Sequence, residues 1–197
     1  ERQTLKTYSR LADALTPMLK LFSSEYANQI TYDCIQVHGG SGFMKDYACE
    51  RFYRDARILT IYEGTSQLQV VAAIRGVVSG AYVGRIKEYE QIEVRDELKP
   101  LRQTLISLRE EFEKVYEIAK EWGSSSEAFD FNSRRLVEIA GYLVMCNLLV
   151  NDANKDAMFT KSAKIMTKLA ESEIAKAITY IKNFNPEILE DYKQNIK

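Results

Sequence analysis

Apolar residues recur at Leu5, Tyr8, Ala12, Leu15, Leu19, Phe22, Tyr26 and Ile30. Steps of three and four trace one stripe along a helix. The pattern predicts a long amphipathic helix ending near Cys34 and Val37, with Pro17 inside it as the place for a kink or interruption. The glycines of Gly39-Gly40-Ser41-Gly42 make continuation costly. The next run, to Arg57, is dense in charge and aromatics and predicts a short helix around Tyr47 to Arg54. Another helix is expected from Ser66 to about Tyr82. Its apolar face is Leu68, Val71, Ala72 and Val78, and glycines at 76, 80 and 84 weaken its end.

Beyond the charged stretch Glu88–Glu97 the register becomes more regular. Leu98, Leu101, Leu105, Leu108, Phe112, Val115, Ala119 and Trp122 form a stripe suited to a straight helix in an antiparallel bundle or coiled coil. Gly123 to Ser126 is expected as a loop. A second helix should run from about Ala128 to Asn151 and be the most buried, because Gly141–Val150 is apolar nearly all round. A third is expected from Ala157 to Phe184, with Phe159, Ala163, Met166, Ala170, Ile174, Ala177, Ile181 and Phe184 on one side. Asn185-Pro186 ends it, and a short polar helix closes the chain. No useful strand alternation and no internal repeat is present. The expected class is all-α, with domains at residues 1–87 and 95–197.

Composition narrows the function classes. A chain of 197 residues with 46% hydrophobic and 28% charged residues can bury a sizeable core. The formal net charge of -1 provides no basic field for nucleic acid or an anionic membrane. Cys34, Cys49 and Cys146 make no CxxC or Cys/His metal pattern, so they read as reduced, buried thiols of a cytosolic (cytoplasmic) protein. No membrane-spanning run or signal peptide is apparent, and no integral membrane segment is expected. The start at Glu1-Arg-Gln lacks an initiator methionine and enters helical periodicity at once, so a fragment of a longer protein is expected.

Several short stretches could carry chemistry. His38-Gly39-Gly40-Ser41-Gly42 could cradle a phosphate through backbone N–H groups, but a preceding helix favours a plain helix stop. His38, the single histidine, has no second histidine or matched cysteine and reads as structural or backbone-contacting; no metal is expected. Glu50, Arg51, Arg54, Asp55 and Arg57 nearly balance, which favours mutual salt bridges over an anion patch. Ser66 and Gln69 fit a capping box, with Thr65 as the alternative cap. A helix N-terminus there welcomes a phosphate or a polar cofactor edge. Glu63, just before it, reads equally as a dipole-complementing acid or as a catalyst.

The order of Gln36-Val-His-Gly39-Gly40-Ser-Gly42-Phe43, Glu50-Arg51, Arg54-Asp55 and Ile61-Tyr62-Glu63-Gly64-Thr65-Ser66-Gln67 resembles the C-terminal helical domain of an acyl-CoA dehydrogenase over roughly residues 1 to 85. Residues after about 95 look like an appended helical bundle. The resemblance implies α,β-dehydrogenation of an acyl-CoA thioester to the trans-enoyl product, with FAD as hydride acceptor, as in fatty acid β-oxidation. Glu63 matches the catalytic base. A carboxylate covered by an apolar acyl chain is a stronger base toward a weakly acidic C–H. The backbone N–H at this position would bond the thioester carbonyl as part of an oxyanion hole, Gly64 would admit the substrate closely, and Tyr62 would border it. Thr65 and Gln67 would contact FAD with Ser66 alongside. Gln36, Val37, His38, Gly39 and Gly40 would reach the FAD of a neighbouring subunit, which implies a homodimer or homotetramer. Electrons would pass to an electron-transfer flavoprotein.

The resemblance also sets limits. The family's N-terminal helical and middle β-domains are absent here, so this piece alone is expected to be inactive. An oxygen-using acyl-CoA oxidase shares the signature. A nucleic-acid-binding, alkylation-response relative would want a basic C-terminal region, whereas residues 88 to 130 are rich in Glu. The appended helices also admit a non-catalytic oligomerisation or docking module, although an intramolecular bundle core explains the same stripe.

Overall fold

The computed structural model describes residues 2–123 and 126–195, all helix, turn and loop with no strand among them. Ser124 and Ser125 of the expected loop lie outside the described residues. The chain forms two compact units, Glu1–Arg75 and Gly76–Lys197.

In the first unit, helix α1 (Arg2–His38) is continuous through Pro17, so the expected interruption is absent. Gly39, with φ 59, ends α1, and a single helical turn α2 (Gly40–Phe43) follows. Gly42 has to be glycine: a Cβ there would meet Ile35 O at 2.8 Å and His38 Cβ at 2.9 Å. Helix α3 (Ala48–Arg57) folds back along α1 and continues into a 3₁₀ turn, Ile58–Thr60. Asn28 Nδ2 joins the two helices by donating to Ser24 O at 2.8 Å and Ala56 O at 2.9 Å. Arg54 pairs with Glu50 at 3.1 Å and Arg57 donates to Thr60 Oγ1 at 2.5 Å, which satisfies part of the charged run locally.

Periodicity located these helices, yet it misassigned the buried faces. On α1 the buried residues are Ala14, Pro17, Met18, Leu21, Phe22 and Ser24; of the expected stripe Phe22 is buried, while Leu5, Tyr8, Leu19 and Ile30 are exposed. On α4 (Ser66–Val78) Val70, Ala73 and Val77 are buried, and Leu68, Val71 and Val78 are exposed. Helix α4 is apolar on more than one side, so the period alone cannot choose the face. The expected single helix to Tyr82 is also two. Gly80 takes φ 72 and breaks it, and α5 (Ala81–Glu90) starts afresh.

Helix α5 explains why the units divide inside α4 rather than in the charged stretch after Glu88. It packs on α7 and carries Tyr82, Ile86 and Tyr89 into the second unit's core. That unit is an antiparallel bundle of α6 (Lys99–Glu121), α7 (Glu127–Lys155) and α8 (Thr160–Lys182), closed by the short α9 (Ile188–Asn195). Ser126 caps α7 by accepting from Phe129 N at 3.1 Å. Leu105, Phe112, Leu136, Leu143, Ile174 and Ile181 are all at most 1% exposed, and burial of such a side chain is worth about 1.5–3 kcal/mol. Trp122 and Phe131 close on Phe184 with ring centroids 5.2 and 5.5 Å apart, sealing one end.

Helix α7 corrects one expectation. By length and composition it could cross a membrane, with an 18-residue window of hydropathy 1.4, but 67% of that window is buried in the chain. That is the pattern of a core helix.

The bundle also buries charge that the stripe did not announce. Arg102 donates to Asn147 Oδ1, and to Asn151 Oδ1 at 2.5 Å. Desolvation holds its pKa below the usual guanidinium value. Arg109 Nε donates to both oxygens of Glu90, at 2.8 and 3.0 Å, and its Nη1 to Glu113. Burial opposes the charge on Arg109, but the bonds to Glu90 and Glu113 raise its pKa overall.

Candidate active site

The stretch from Tyr62 to Gln67 is a reversal between the Ile58–Thr60 turn and α4. Tyr62 N bonds Ile58 O at 3.0 Å and ends the turn. Glu63 then adopts φ 53, the only positive φ of a non-glycine residue among those described, and Gly64 follows at φ 95. Holding a glutamate in the left-handed region costs about 1–2 kcal/mol, so neighbouring contacts must fix it. They come from two side chains. Gln69 Nε2 donates to Glu63 O at 3.2 Å and Gly64 O at 3.3 Å. Lys20 Nζ, on α1, donates to Gly64 O at 2.7 Å and lies 5.8 Å from the centre of the Tyr62 ring.

These bonds set the direction of the backbone. In a trans peptide the C=O and the following N–H point to opposite sides. Drawing Glu63 C=O toward Gln69 therefore turns Gly64 N–H the other way. Neither Glu63 N nor Gly64 N donates to a backbone carbonyl among the described residues. The Glu63 side chain is exposed beside them. The turn leaves the Glu63 carboxylate exposed and the Glu63 N–H without a backbone acceptor among the described residues.

The helix start corrects the capping box. Thr65 is the cap: its Oγ1 accepts from Leu68 N at 3.4 Å, and its carbonyl accepts from Gln69 N at 3.0 Å. Gln69 is occupied with the Glu63–Gly64 carbonyls. Ser66 Oγ is buried with no hydrogen-bond partner, while Gln67 is exposed. A buried hydroxyl without a partner, beside exposed Thr65 and Gln67 at a helix N-terminus, suits a polar cofactor edge.

Gln36, Val37, His38, Gly39 and Gly40 form a second exposed patch at the far end of α1. No hydrogen bond or ring contact joins it to the Glu63 turn among the described residues. Lys20, which touches the turn, precedes His38 by 18 residues on a continuous helix, and at 1.5 Å per residue that is about 27 Å. The structure thus brings Tyr62–Gln67 together and holds Gln36–Gly40 well apart from them.

Sequence reasoning missed two features. Lys20 gave no local signal, since it meets Gly64 only through the fold. The cysteines, scattered in sequence, are partly gathered: donor atoms of Cys34, His38 and Cys49 all lie within 4.8 Å of one another. The helical turn of α1 aligns the first two, and α3 brings in the third. Cys34 is half-buried rather than buried. His38 Nδ1 lies 2.8 Å from Cys34 O, the backbone contact anticipated for it.

An all-helical unit with a strained Glu-Gly reversal leading into a helix start is the arrangement expected from the motifs. The comparisons agree. Residues 4–77 match the family model described as acyl-CoA dehydrogenase, C-terminal domain, and residues 78–189 match the one described as acyl-CoA dehydrogenase C terminal. The chain belongs to the acyl-CoA dehydrogenase family, and its second unit is itself a family module. The chain is 53% identical over 58 residues to 3-(aryl)acrylate reductase of Clostridium sporogenes, covering 29% of this chain and 15% of that protein. It thus spans a small part of the length of that relative. The crystal structure of an acyl-CoA dehydrogenase family protein from Porphyromonas gingivalis is 35% identical with a TM-score of 0.55, over 58% of this chain and 99% of that one. An acyl-CoA dehydrogenase complexed with FAD from Bacillus anthracis shares the fold, with a TM-score of 0.64 and 23% identity over 90% of this chain and 34% of that one.

Proposed function

We propose that this chain is the C-terminal part of a flavin-dependent acyl-CoA dehydrogenase in which Glu63 removes the α-proton of an acyl-CoA thioester. The observation that carries the reading is the strained Glu63–Gly64 turn. A left-handed glutamate is costly, and its fixation by Lys20 and Gln69 is explained if the carboxylate and the amide must face one reacting centre. The Glu63 backbone N–H donates to the thioester carbonyl and stabilises the enolate that develops as the proton leaves. Gly64 lets the thioester approach the backbone, and Tyr62, half-exposed beside it, borders the acyl group.

FAD, when bound, supplies the acceptor for the β-hydrogen, which leaves as hydride. Thr65, Ser66 and Gln67 hold it at the start of α4. The separation of about 27 Å along α1 supports assigning Gln36–Gly40 to the flavin of a neighbouring subunit, and hence a homodimer or homotetramer. The exposed apolar side chains of the first unit, among them Leu5, Tyr8, Leu19 and Ile30, support packing against further domains or copies. An electron-transfer flavoprotein is the proposed electron acceptor, and the isolated chain is proposed to be inactive.

The deciding experiment is Glu63→Gln in the full-length protein. Flavin should remain bound, while its bleaching by acyl-CoA slows by at least about 10²–10⁴-fold, the range for loss of a general base. Bleaching at close to the wild-type rate would sink the assignment. One comparison supports a second reading, since the Clostridium sporogenes relative is named a reductase. The same carboxylate, protonated, would then return its proton to the α-carbon of an unsaturated substrate, with a reduced flavin, when bound, supplying the hydride for the β-carbon. Measuring both directions with one saturated and unsaturated acyl-CoA pair separates the two.

A further inference from the structure

Cys34 and His38 are four residues apart on α1, so their side chains share one face of the helix. Cys49, in the first turn of α3, faces them, and one donor atom from each lies within 4.8 Å of the other two. Cys34 Sγ is 3.9 Å from His38 Nδ1. We propose that Cys34, His38 and Cys49 form a three-ligand site for a thiophilic divalent cation of the zinc class. The site shares His38 with the flavin-contact patch proposed above, but it is tested by metal binding alone and not through flavin or acyl-CoA.

The donor set is the one such ions select: two thiolates and a neutral imidazole. Bond lengths of about 2.3 Å to sulfur and 2.0–2.1 Å to nitrogen require tetrahedral ligand separations of about 3.5–3.8 Å. The cluster therefore has to contract by about 1.3 Å at most, within the reach of side-chain rotation. The surroundings also suit a site. His38 Nδ1 lies 2.8 Å from the Cys34 carbonyl, a contact that holds the ring beside Cys34. The Cys49 thiol now donates to Gly42 O at 3.4 Å, a bond it gives up when it loses its proton to bind the ion. Gly42 in turn is packed against Ile35 and His38 too closely for any side chain.

Binding would release one proton from each thiol, and the two thiolates would neutralise the dication. His38 is exposed and Cys34 half-buried, so the fourth position opens to water. The ion would staple the end of α1 to the start of α3 and enclose the Gly39–Gly42 turn.

The test uses the full-length protein, reduced and stripped of metal, titrated with Cd²⁺ while the thiolate-to-cadmium charge-transfer absorption in the ultraviolet is followed. Zn²⁺ is then added in competition. Saturation at one equivalent per chain, reversed by Zn²⁺, is expected. Cys34→Ser and Cys49→Ser should each weaken binding by on the order of 100-fold or more, since even partners of metal ligands cost 10–100-fold. Cys146→Ala should leave the titration unchanged. If Cys49→Ser misfolds, Cys34→Ser decides alone, because Cys34 is only half-buried. Absence of the band in the wild type, its survival in Cys34→Ser, or its loss in Cys146→Ala would overturn the proposal. So would a Cys34–Cys49 disulfide accompanied by no metal binding after reduction.

Discussion

Replacing Glu90 by glutamine tests how the second unit tolerates a buried charge. Glu90 and Arg109 are 6% and 9% exposed in their side chains, and both carboxylate oxygens of Glu90 accept from Arg109 Nε. Glutamine keeps the shape and removes the charge. Removing one partner of a fully buried pair costs about 3–5 kcal/mol, because the survivor stays desolvated and uncompensated. Here Arg109 also bonds Glu113, whose side chain is 36% exposed and shared with Lys87. The second carboxylate lowers the expected cost to about 2–3 kcal/mol, the upper range for a hydrogen bond to a charged group. With a urea slope of about 2 kcal/mol per molar, the far-ultraviolet circular dichroism midpoint of the second unit should fall by roughly 1–1.5 M. The double variant Glu90→Leu, Arg109→Met removes both charges and should recover to within about 1 kcal/mol of wild type, as apolar replacements of buried pairs do. A Glu90→Gln midpoint within about 0.3 M of wild type, or a double variant less stable than the single one, would refute the reasoning.

Two further outcomes are expected. Gly42→Ala should destabilise the first unit by about 1–3 kcal/mol, read from its urea midpoint, because the new methyl meets the backbone of Ile35 at 2.8–3.0 Å. Burial pushes the Cys146 thiol up to about 12, so it should resist a thiol reagent at about pH 8, near its ordinary pKa, until the chain unfolds. A folded pKa above the unfolded one means a stability contribution complete below about pH 9 and lost as pH rises toward about 12, at up to about 1.4 kcal/mol per unit. Cys146→Ala should flatten that alkaline slope, measured as urea midpoints between about pH 8 and pH 10.

The second unit was legible because its signals agree. Its stripe is narrow on α6 and nearly complete around α7, so Leu105, Phe112, Leu143 and Val150 had one place to go, and all are fully or almost fully buried. What stayed hidden was the charge between them. Arg102 and Arg109 adjoin the stripe, and only the fold brings Asn147, Asn151 and Glu90 to them. The first unit was less legible for the opposite reason. Its helices carry apolar residues on several sides, and Leu19 and Ile30 fit the period as well as Met18 and Leu21 do. Periodicity reports that a helix has an apolar face without reporting which partner covers it. The exposed members are what a chain with more partners than this one contains should show.

The candidate sites divide along the same line. The Glu63 turn is contiguous, and its chemistry could be read from six neighbouring residues. The geometry that makes it plausible could not. Glutamate in the left-handed region is disfavoured wherever it is free to relax. Its persistence depends on Gln69, six residues on, and on Lys20, 43 residues back. Gln69, expected as half of a capping box, is drawn away from Ser66 by those carbonyls, and Thr65 takes over the cap. The local rule failed at the one place where a side chain had a better acceptor to satisfy, beside the residue proposed to do the chemistry. Cys34, His38 and Cys49 show the reverse: no spacing rule joins them, because the third ligand arrives only when α3 folds back on α1. In both cases sequence names the donors and acceptors, and the long-range contacts of α1 decide which of them meet.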